Sequence, residues 1–209
     1  MDEVNKKNYD LEYKIITLGD SGVGKTSIIN RFIHDTFSYD EITNWGIKFS
    51  FKILKTYNDK YLKLNIIDTV GQEKYRSLSI SYFRNVDVVL FIFDLSVKLS
   101  FENMQEWINT FNNNNNGKYV KKKYLIGNKS DLGQEIEQKL IDEFAKKNEL
   151  PYCAISAKSG NQIYEIFEII ANDLVEYEEK KTNISVRSQR NKVLAKTQPF
   201  NKKEKKSCC

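Results

Sequence analysis

Residues 19–27, GDSGVGKTS, have the residue types and spacing of a loop that binds phosphate groups. They match G-x-x-x-x-G-K-[ST], in which glycines let backbone N–H groups point inward at an anion. An apolar run precedes the loop and a helical pattern follows it, so a helix N-terminus adds to the anion site. We expect Lys25 to reach the β- and γ-phosphates and the Thr26 hydroxyl to bind Mg²⁺. The predicted phosphate-binding residues of this loop are Ser21, Gly22, Val23, Gly24, Lys25, Thr26 and Ser27.

A second motif, IIDTVGQE at residues 66–73, supplies residues for a metal ion and for a water molecule. Asp68 ends an apolar run and is placed to hold Mg²⁺ through water. The backbone N–H of Gly71 is expected to face the γ-phosphate. Gln72 is the predicted catalytic residue, because a glutamine here can orient an attacking water.

Two further motifs, LIGNKSD at residues 125–131 and ISAKSG at residues 155–160, indicate which base is bound. The carboxylate of Asp131 can accept two hydrogen bonds from N1–H and N2–H₂ of guanine, a pair that adenine does not offer. A backbone N–H of the second motif can donate to guanine O6. This argues against a phosphate-loop ATPase or kinase. The predicted guanine-binding residues here are Asn128, Lys129, Asp131, Ser156, Ala157 and Lys158.

Strand and helix patterns alternate along the chain, which predicts an α/β fold. Predicted strands cover residues 13–18, 46–57, 61–67, 86–93, 119–126 and 152–155, and predicted helices cover 25–34, 101–111, 136–148 and 163–177. The second and third strands are expected to form a hairpin around Asn58 and Asp59. The remaining alternation predicts a mostly parallel sheet covered by helices, which binds ligands at the carboxyl ends of its strands.

The positive charge of the chain is concentrated in its last residues. Residues 180–209 contain ten Lys or Arg and one Glu, a net +9, and since the whole chain is +5, residues 1–179 carry −4. A basic tail on an acidic body favours a membrane surface and argues against a nucleic-acid partner. Residues 181–207 lack apolar periodicity and are predicted to be disordered. We expect no membrane-spanning segment, no signal peptide and no disulfide framework, since two of the three cysteines are the last two residues.

These motifs, with SYFRNVDVVLFIFD at residues 81–94, resemble the Rab family of Ras-like small GTPases over residues 11–178. The resemblance implies a P-loop small-GTPase fold: a six-stranded, mostly parallel sheet with one antiparallel strand, flanked by about five helices. It divides the chain into an N-terminal extension (1–10), a GTPase domain (11–179) and a basic flexible hypervariable tail (180–209). It also implies that Phe37 flanks the guanine ring; the alternative is a core aromatic.

The resemblance implies a switch that binds GTP or GDP with Mg²⁺, hydrolyses GTP slowly and regulates vesicle trafficking through effectors. The expected partners are effectors, an exchange factor, a GTPase-activating protein, a prenylation escort and a GDP-dissociation inhibitor, acting on a monomer. Cys208 and Cys209 are predicted to be prenylated, which attaches the tail to the cytoplasmic face of an intracellular membrane. The alternative function is a membrane-tethered scaffold that binds nucleotide and hardly cycles.

The sequence departs from the family in three places, and the first two departures keep that alternative open. The threonine that senses GTP in the family is replaced by Asn44, so the metal contact falls to Asn44 or to Thr43, or it is lost. Val70 stands where relatives carry alanine, which predicts slow hydrolysis unless its methyl groups pack harmlessly.

The third departure alters the predicted effector surface, which comprises Trp45, Gly46, Ile47, Lys48 and Phe49. Trp45 and Lys48 replace the family's residues there. Trp45 either anchors a partner or packs against the protein's own switch. Trp107, on a predicted helix, is expected to pack in the core.

Overall fold

A central sheet of six strands organises the chain. The computed structural model describes residues 8–39, 48–69, 82–115 and 120–196, with side chains through residue 182. The strands are β1 (Leu11–Leu18), β2 (Lys48–Lys55), β3 (Tyr61–Asp68), β4 (Val88–Asp94), β5 (Lys122–Asn128) and β6 (Tyr152–Ala154). The helices in these ranges are α1 (Lys25–His34), α2 (Lys98–Glu102), α3 (Met104–Asn114), α4 (Gln138–Lys147) and α5 (Ile163–Lys196), with a 3₁₀ turn at Ser130–Leu132.

The strand order is β2-β3-β1-β4-β5-β6, which confirms the predicted fold class. β2 and β3 are antiparallel and pair from Lys48 opposite Asp68 to Lys55 opposite Tyr61. All other neighbours in the sheet are parallel. The predicted hairpin turn forms where expected, with Asp59 in a left-handed conformation at φ 61°.

The core lies on both faces of β1 and β4. Every residue of β4 is buried, as expected of a parallel strand covered on two sides. On one face Trp107 of α3 packs in a cluster with Phe83, Phe91 and Phe111. Trp107 is 1% exposed, so its expected place in the core is confirmed.

Two predicted helix boundaries were wrong. The helix predicted at 101–111 is two helices that meet at Asn103, whose side-chain amide donates to Asp20. The last helix, predicted to end at residue 177, continues to Lys196, so residues 181–196 are helical rather than disordered. Residues 178–196 contain no glycine or proline and many good helix formers, so nothing in their sequence ends the helix. The division of the chain at residue 180 stays a prediction.

The chain divides into two compact units, Met1–Leu174 and Val175–Cys209. The first contains the sheet and helices α1 to α4. Along the second, side-chain contacts follow the helix itself: Lys180 Nζ lies 3.3 Å from Glu176 Oε2, and the Thr182 hydroxyl donates to the Glu178 carbonyl at 2.8 Å. Within the four described ranges, no helix is both long enough and apolar enough to cross a membrane.

Candidate nucleotide-binding site

The carboxyl ends of the five parallel strands lie along one edge of the sheet. The predicted phosphate loop follows β1 there, Asp68 ends β3 and Asn128 ends β5. The sheet register places Asp94, the last residue of β4, opposite Asn128. Motifs that are far apart in the sequence are therefore brought to the edge where parallel sheets bind their ligands.

The phosphate loop is a turn that leads directly into α1. Ser21 and Gly22 are exposed at its tip, Val23 is buried, and Lys25, Thr26 and Ser27 form the first turn of α1. The predicted phosphate-binding residues of this loop thus form one continuous segment, the turn and the N-terminus of α1, as a helix N-terminal anion site requires.

Gly24 caps the N-terminus of α1 in the left-handed region, at φ 93° and ψ 29°. A Cβ at this position would lie 2.3 Å from Nδ2 of Asn128. Both the backbone conformation and the available space therefore require glycine here.

Lys25 is 5% exposed, and its ammonium lies inside the loop. Nζ donates to the carbonyl oxygens of Gly19 at 3.0 Å and Asp20 at 2.7 Å. Burial lowers the pKa of Lys25 to about 8, although the nearby carboxylates of Asp68 and Asp20 oppose the shift. A bound phosphate would add negative charge beside this ammonium and so favour its protonated form.

Thr26 and Asp68 form a pair of hard oxygen donors next to the phosphate loop. The Thr26 hydroxyl donates to Asp68 Oδ2 at 2.7 Å, and Asp68 is buried. Hydroxyl and carboxylate oxygens are the ligands that Mg²⁺ prefers, and the metal takes few protein ligands when phosphates supply the others. The two residues therefore fit a Mg²⁺ ion bound together with a nucleotide.

Asn128 connects the phosphate loop to the guanine motifs. It is 1% exposed, its Nδ2 donates to the Val23 carbonyl at 2.8 Å, and its Oδ1 accepts from the Ala157 N–H at 3.1 Å. A buried amide satisfied on both sides holds two loops in one geometry.

Asp131 and Ser156 connect the two guanine motifs in a similar way. The Ser156 hydroxyl donates to Asp131 Oδ1 at 2.5 Å and accepts from the Ser159 N–H at 3.1 Å. Lys158 Nζ lies 3.8 Å from Asp131 Oδ2. These contacts hold the carboxylate of Asp131 beside the loop whose N–H groups are predicted to meet the base.

Lys129 adopts a left-handed conformation, φ 64°, and its ammonium pairs with Asp94 Oδ2 at 2.7 Å. The Asp94 side chain also accepts from the N–H and the hydroxyl of Ser96. Lys129 thus ties the guanine motif to the end of β4.

Phe37 lies beyond α1 and is half-buried. Its ring meets that of Tyr39 edge-on, with centroids 5.1 Å apart. Lys158 Nζ lies 5.5 Å from the centre of the Tyr39 ring, and a hydrogen bond to Tyr39 raises the pKa of Lys158. Phe37 is therefore linked to the guanine motif through Tyr39 and is not fully buried as a core aromatic would be.

The effector surface is described only at Lys48 and Phe49, which begin β2. Both are exposed; Phe49 is 65% exposed, and its ring is tilted against Tyr82 at 5.6 Å. The other predicted site residues lie outside the described residues. They are Thr43, Asn44, Trp45, Gly46, Ile47, Gly71, Gln72, Cys208 and Cys209, together with Val70.

Asp94 and Arg31 also shape the site, although the sequence predicted no role for either. Asp94 could have been found, because it is a charged residue at the end of an apolar strand predicted to reach the ligand edge. No sequence pattern marks Arg31. Its Nε donates to the Ala157 carbonyl and its Nη2 to the Lys158 carbonyl, both at 2.9 Å, so Arg31 connects α1 to the second guanine motif.

Comparison with known proteins agrees with this geometry. The model of the Ras family matches residues 14–176. The Ras-related protein SEC4 of Saccharomyces cerevisiae is 31% identical over 206 residues, which cover 98% of this chain and 94% of that protein. The Ras-related protein Rab-11B of Dictyostelium discoideum is 35% identical over 78% of this chain and 74% of its own. The Ras-related protein Rab-13 of Bos taurus is 32% identical over 81% of this chain and 83% of that protein.

The fold and the site therefore define a small GTPase with a phosphate loop. The chain belongs to the Ras family, and within that family it is Rab-like.

Proposed function

We propose that this protein is a guanine-nucleotide-dependent switch that binds GTP or GDP with Mg²⁺, hydrolyses GTP slowly and regulates vesicle trafficking. One observation carries the proposal: Lys25, the Thr26–Asp68 pair and Asp131 converge at one edge of the sheet. Each supplies a different part of nucleotide recognition: the phosphates, the metal and the base.

In the proposed site, separate residues bind the phosphates, hold the metal ion and orient the attacking water. Lys25 and the N–H groups of the phosphate loop would neutralise and orient the phosphates. Thr26 and Asp68 would hold Mg²⁺, which would neutralise phosphate charge. Gln72 orients the attacking water. An arginine supplied by a partner would stabilise the charge that develops on the transferred phosphate.

The base preference is tested with Asp131→Asn, and Glu135→Gln is the matched control that removes a charge from an exposed side chain of the same loop. Asp131→Asn replaces one of the two acceptor oxygens with an NH₂ donor, so one guanine donor loses its acceptor and faces another donor, and GDP should bind at least about 100-fold more weakly. Because xanthine carries a carbonyl where guanine carries its 2-amino group, the new amide should improve binding of xanthosine diphosphate. Equal GDP affinity of parent and Asp131→Asn, measured by calorimetry, would contradict guanine recognition.

A measurement of GTP hydrolysis separates the switch from the alternative, a scaffold that binds nucleotide and hardly cycles between GTP and GDP. Asn44 and Val70 are the observations that favour the scaffold. We expect single-turnover GTP hydrolysis by the parent, a faster rate in Val70→Ala, and loss of hydrolysis in Gln72→Leu. Tight GTP binding with equal, negligible hydrolysis in all three would favour the scaffold.

Membrane attachment and partners complete the proposal. Prenylated Cys208 and Cys209, next to a tail with a net +9, would hold the protein on the cytoplasmic face of an intracellular membrane, from which it cycles to the cytosol. Effectors, an exchange factor, a GTPase-activating protein, an escort protein and a GDP-dissociation inhibitor are the proposed partners. Mass spectrometry of protein isolated from its own cell should find both thiols modified; two unmodified thiols would refute the anchor.

A further inference from the structure

The side chain of Asp20, the second residue of the phosphate loop, is held from outside the loop. The indole Nε1–H of Trp107 donates to its Oδ1 at 2.8 Å. The side-chain amide of Asn103 donates to its Oδ2 at 2.7 Å. Both carboxylate oxygens of Asp20 therefore bond to the region where α2 meets α3.

The main-chain carbonyl of the same residue bonds to a different group, the ammonium of Lys25. The Asp20 carbonyl accepts from Lys25 Nζ at 2.7 Å. Lys25 is the residue placed to bind phosphate. Because Asp20 bonds to Lys25 through its carbonyl, the negatively charged side chain of Asp20 belongs to a residue that borders the anion site. A carboxylate that turned toward a bound phosphate would repel it, since like charges at short range disfavour each other.

We propose that Trp107 and Asn103 are positioning residues for nucleotide retention: they hold the Asp20 carboxylate on the outer side of the phosphate loop, away from the phosphates. This inference rests on the proposed binding of guanine nucleotide. Two charge-assisted hydrogen bonds to one carboxylate fix its direction, because each stabilises the charged form in a single geometry.

Trp107 also packs in the core, so its removal could act through packing alone. A double-mutant cycle separates the two roles, because a packing effect does not depend on the charge of Asp20. The cycle combines Trp107→Phe, which keeps an aromatic ring and removes the N–H, with Asp20→Asn, which keeps the shape and removes the charge.

The measurement is the release rate of a fluorescent GDP derivative from the full chain, chased with excess unlabelled GDP in Mg²⁺. Trp107→Phe should speed release about tenfold in the parent, the effect of losing one hydrogen bond to a charged group. In the Asp20→Asn background the same change should have less than about a twofold effect, because no carboxylate remains to turn inward. Phe111→Leu, a change in the same helix and the same buried cluster, is the packing control and should leave release unchanged.

Asn103→Ala gives an independent test that leaves the core intact, and it should also speed release. NMR gives a second readout of the Trp107–Asp20 hydrogen bond. The indole Nε1–H resonance of Trp107 is assigned by its loss in Trp107→Phe, and it should shift in Asp20→Asn. Equal Trp107→Phe effects in the two backgrounds, or unchanged release in Asn103→Ala, would overturn this inference alone. A parent chain that retains no labelled GDP would overturn the proposed function and this inference together.

Discussion

Substituting Gly24 by alanine should damage the phosphate loop and the guanine site at the same time. Gly24 has φ 93°, and a Cβ there would lie 2.3 Å from Nδ2 of Asn128. The Asn128 side chain is fully buried and cannot stay in place beside the new methyl group. Its bonds to the Val23 carbonyl and the Ala157 N–H should therefore be lost together.

The expected cost has two parts. Holding alanine in the left-handed region costs about 1–2 kcal/mol. Losing two buried hydrogen bonds adds about 2–3 kcal/mol, and more if the buried partner groups stay unsatisfied. The free energy of unfolding should thus fall by about 3–5 kcal/mol.

Gly133→Ala is the control without a steric clash, because Gly133 also has a positive φ, 94° with ψ 175°, and a Cβ there would have no atom within 4 Å. It should show only the cost of its glycine-type backbone conformation, about 1–3 kcal/mol. Urea denaturation of the nucleotide-free proteins gives both values, provided the m-values agree. An equal loss of stability in the two variants would contradict the predicted clash with Asn128, and GDP binding by Gly24→Ala at the parent's affinity would contradict the predicted damage to the site.

Two further predictions concern the metal and acid stability. Chelating Mg²⁺ should speed GDP release from the parent by at least about tenfold. The effect should be much smaller in Thr26→Ala, because this variant lacks the hydroxyl that donates to Asp68. Equal chelator sensitivity of the two proteins would argue against the metal site. Hydrogen bonds from Asn65 and Lys63 lower the pKa of Glu12 from 4.5 to about 2. A depressed carboxyl pKa stabilises the fold above pH 4.5, and this contribution is lost as the pH falls from 4.5 toward 2. Glu12→Gln should lack that component, so stability measured across this range should fall less steeply than in the parent; identical pH profiles would contradict the assignment.

Much of the fold could be predicted because its signals are local. The buried β4 is a continuous apolar run, and the β2–β3 hairpin is marked by Asn58 and Asp59. Helix ends were harder, since tertiary contacts and propensity compete there. Asn103 separates α2 from α3 at the point where its amide reaches Asp20, and no local pattern marks such a contact.

The sequence by itself determined which chemical groups the site contains, because the phosphate loop and the guanine motifs are short and each lies at the end of a strand. It could not determine what holds those groups. Trp107 meets Asp20 across 87 residues, and Arg31 meets the Ala157 carbonyl across 126. Such partners share no periodicity or spacing in the chain, and only the packing of α1 and α3 against the sheet brings them within hydrogen-bond distance. The motifs thus supply the groups proposed to meet the nucleotide, whereas the folded structure determines the second set of residues that keeps the motifs in place.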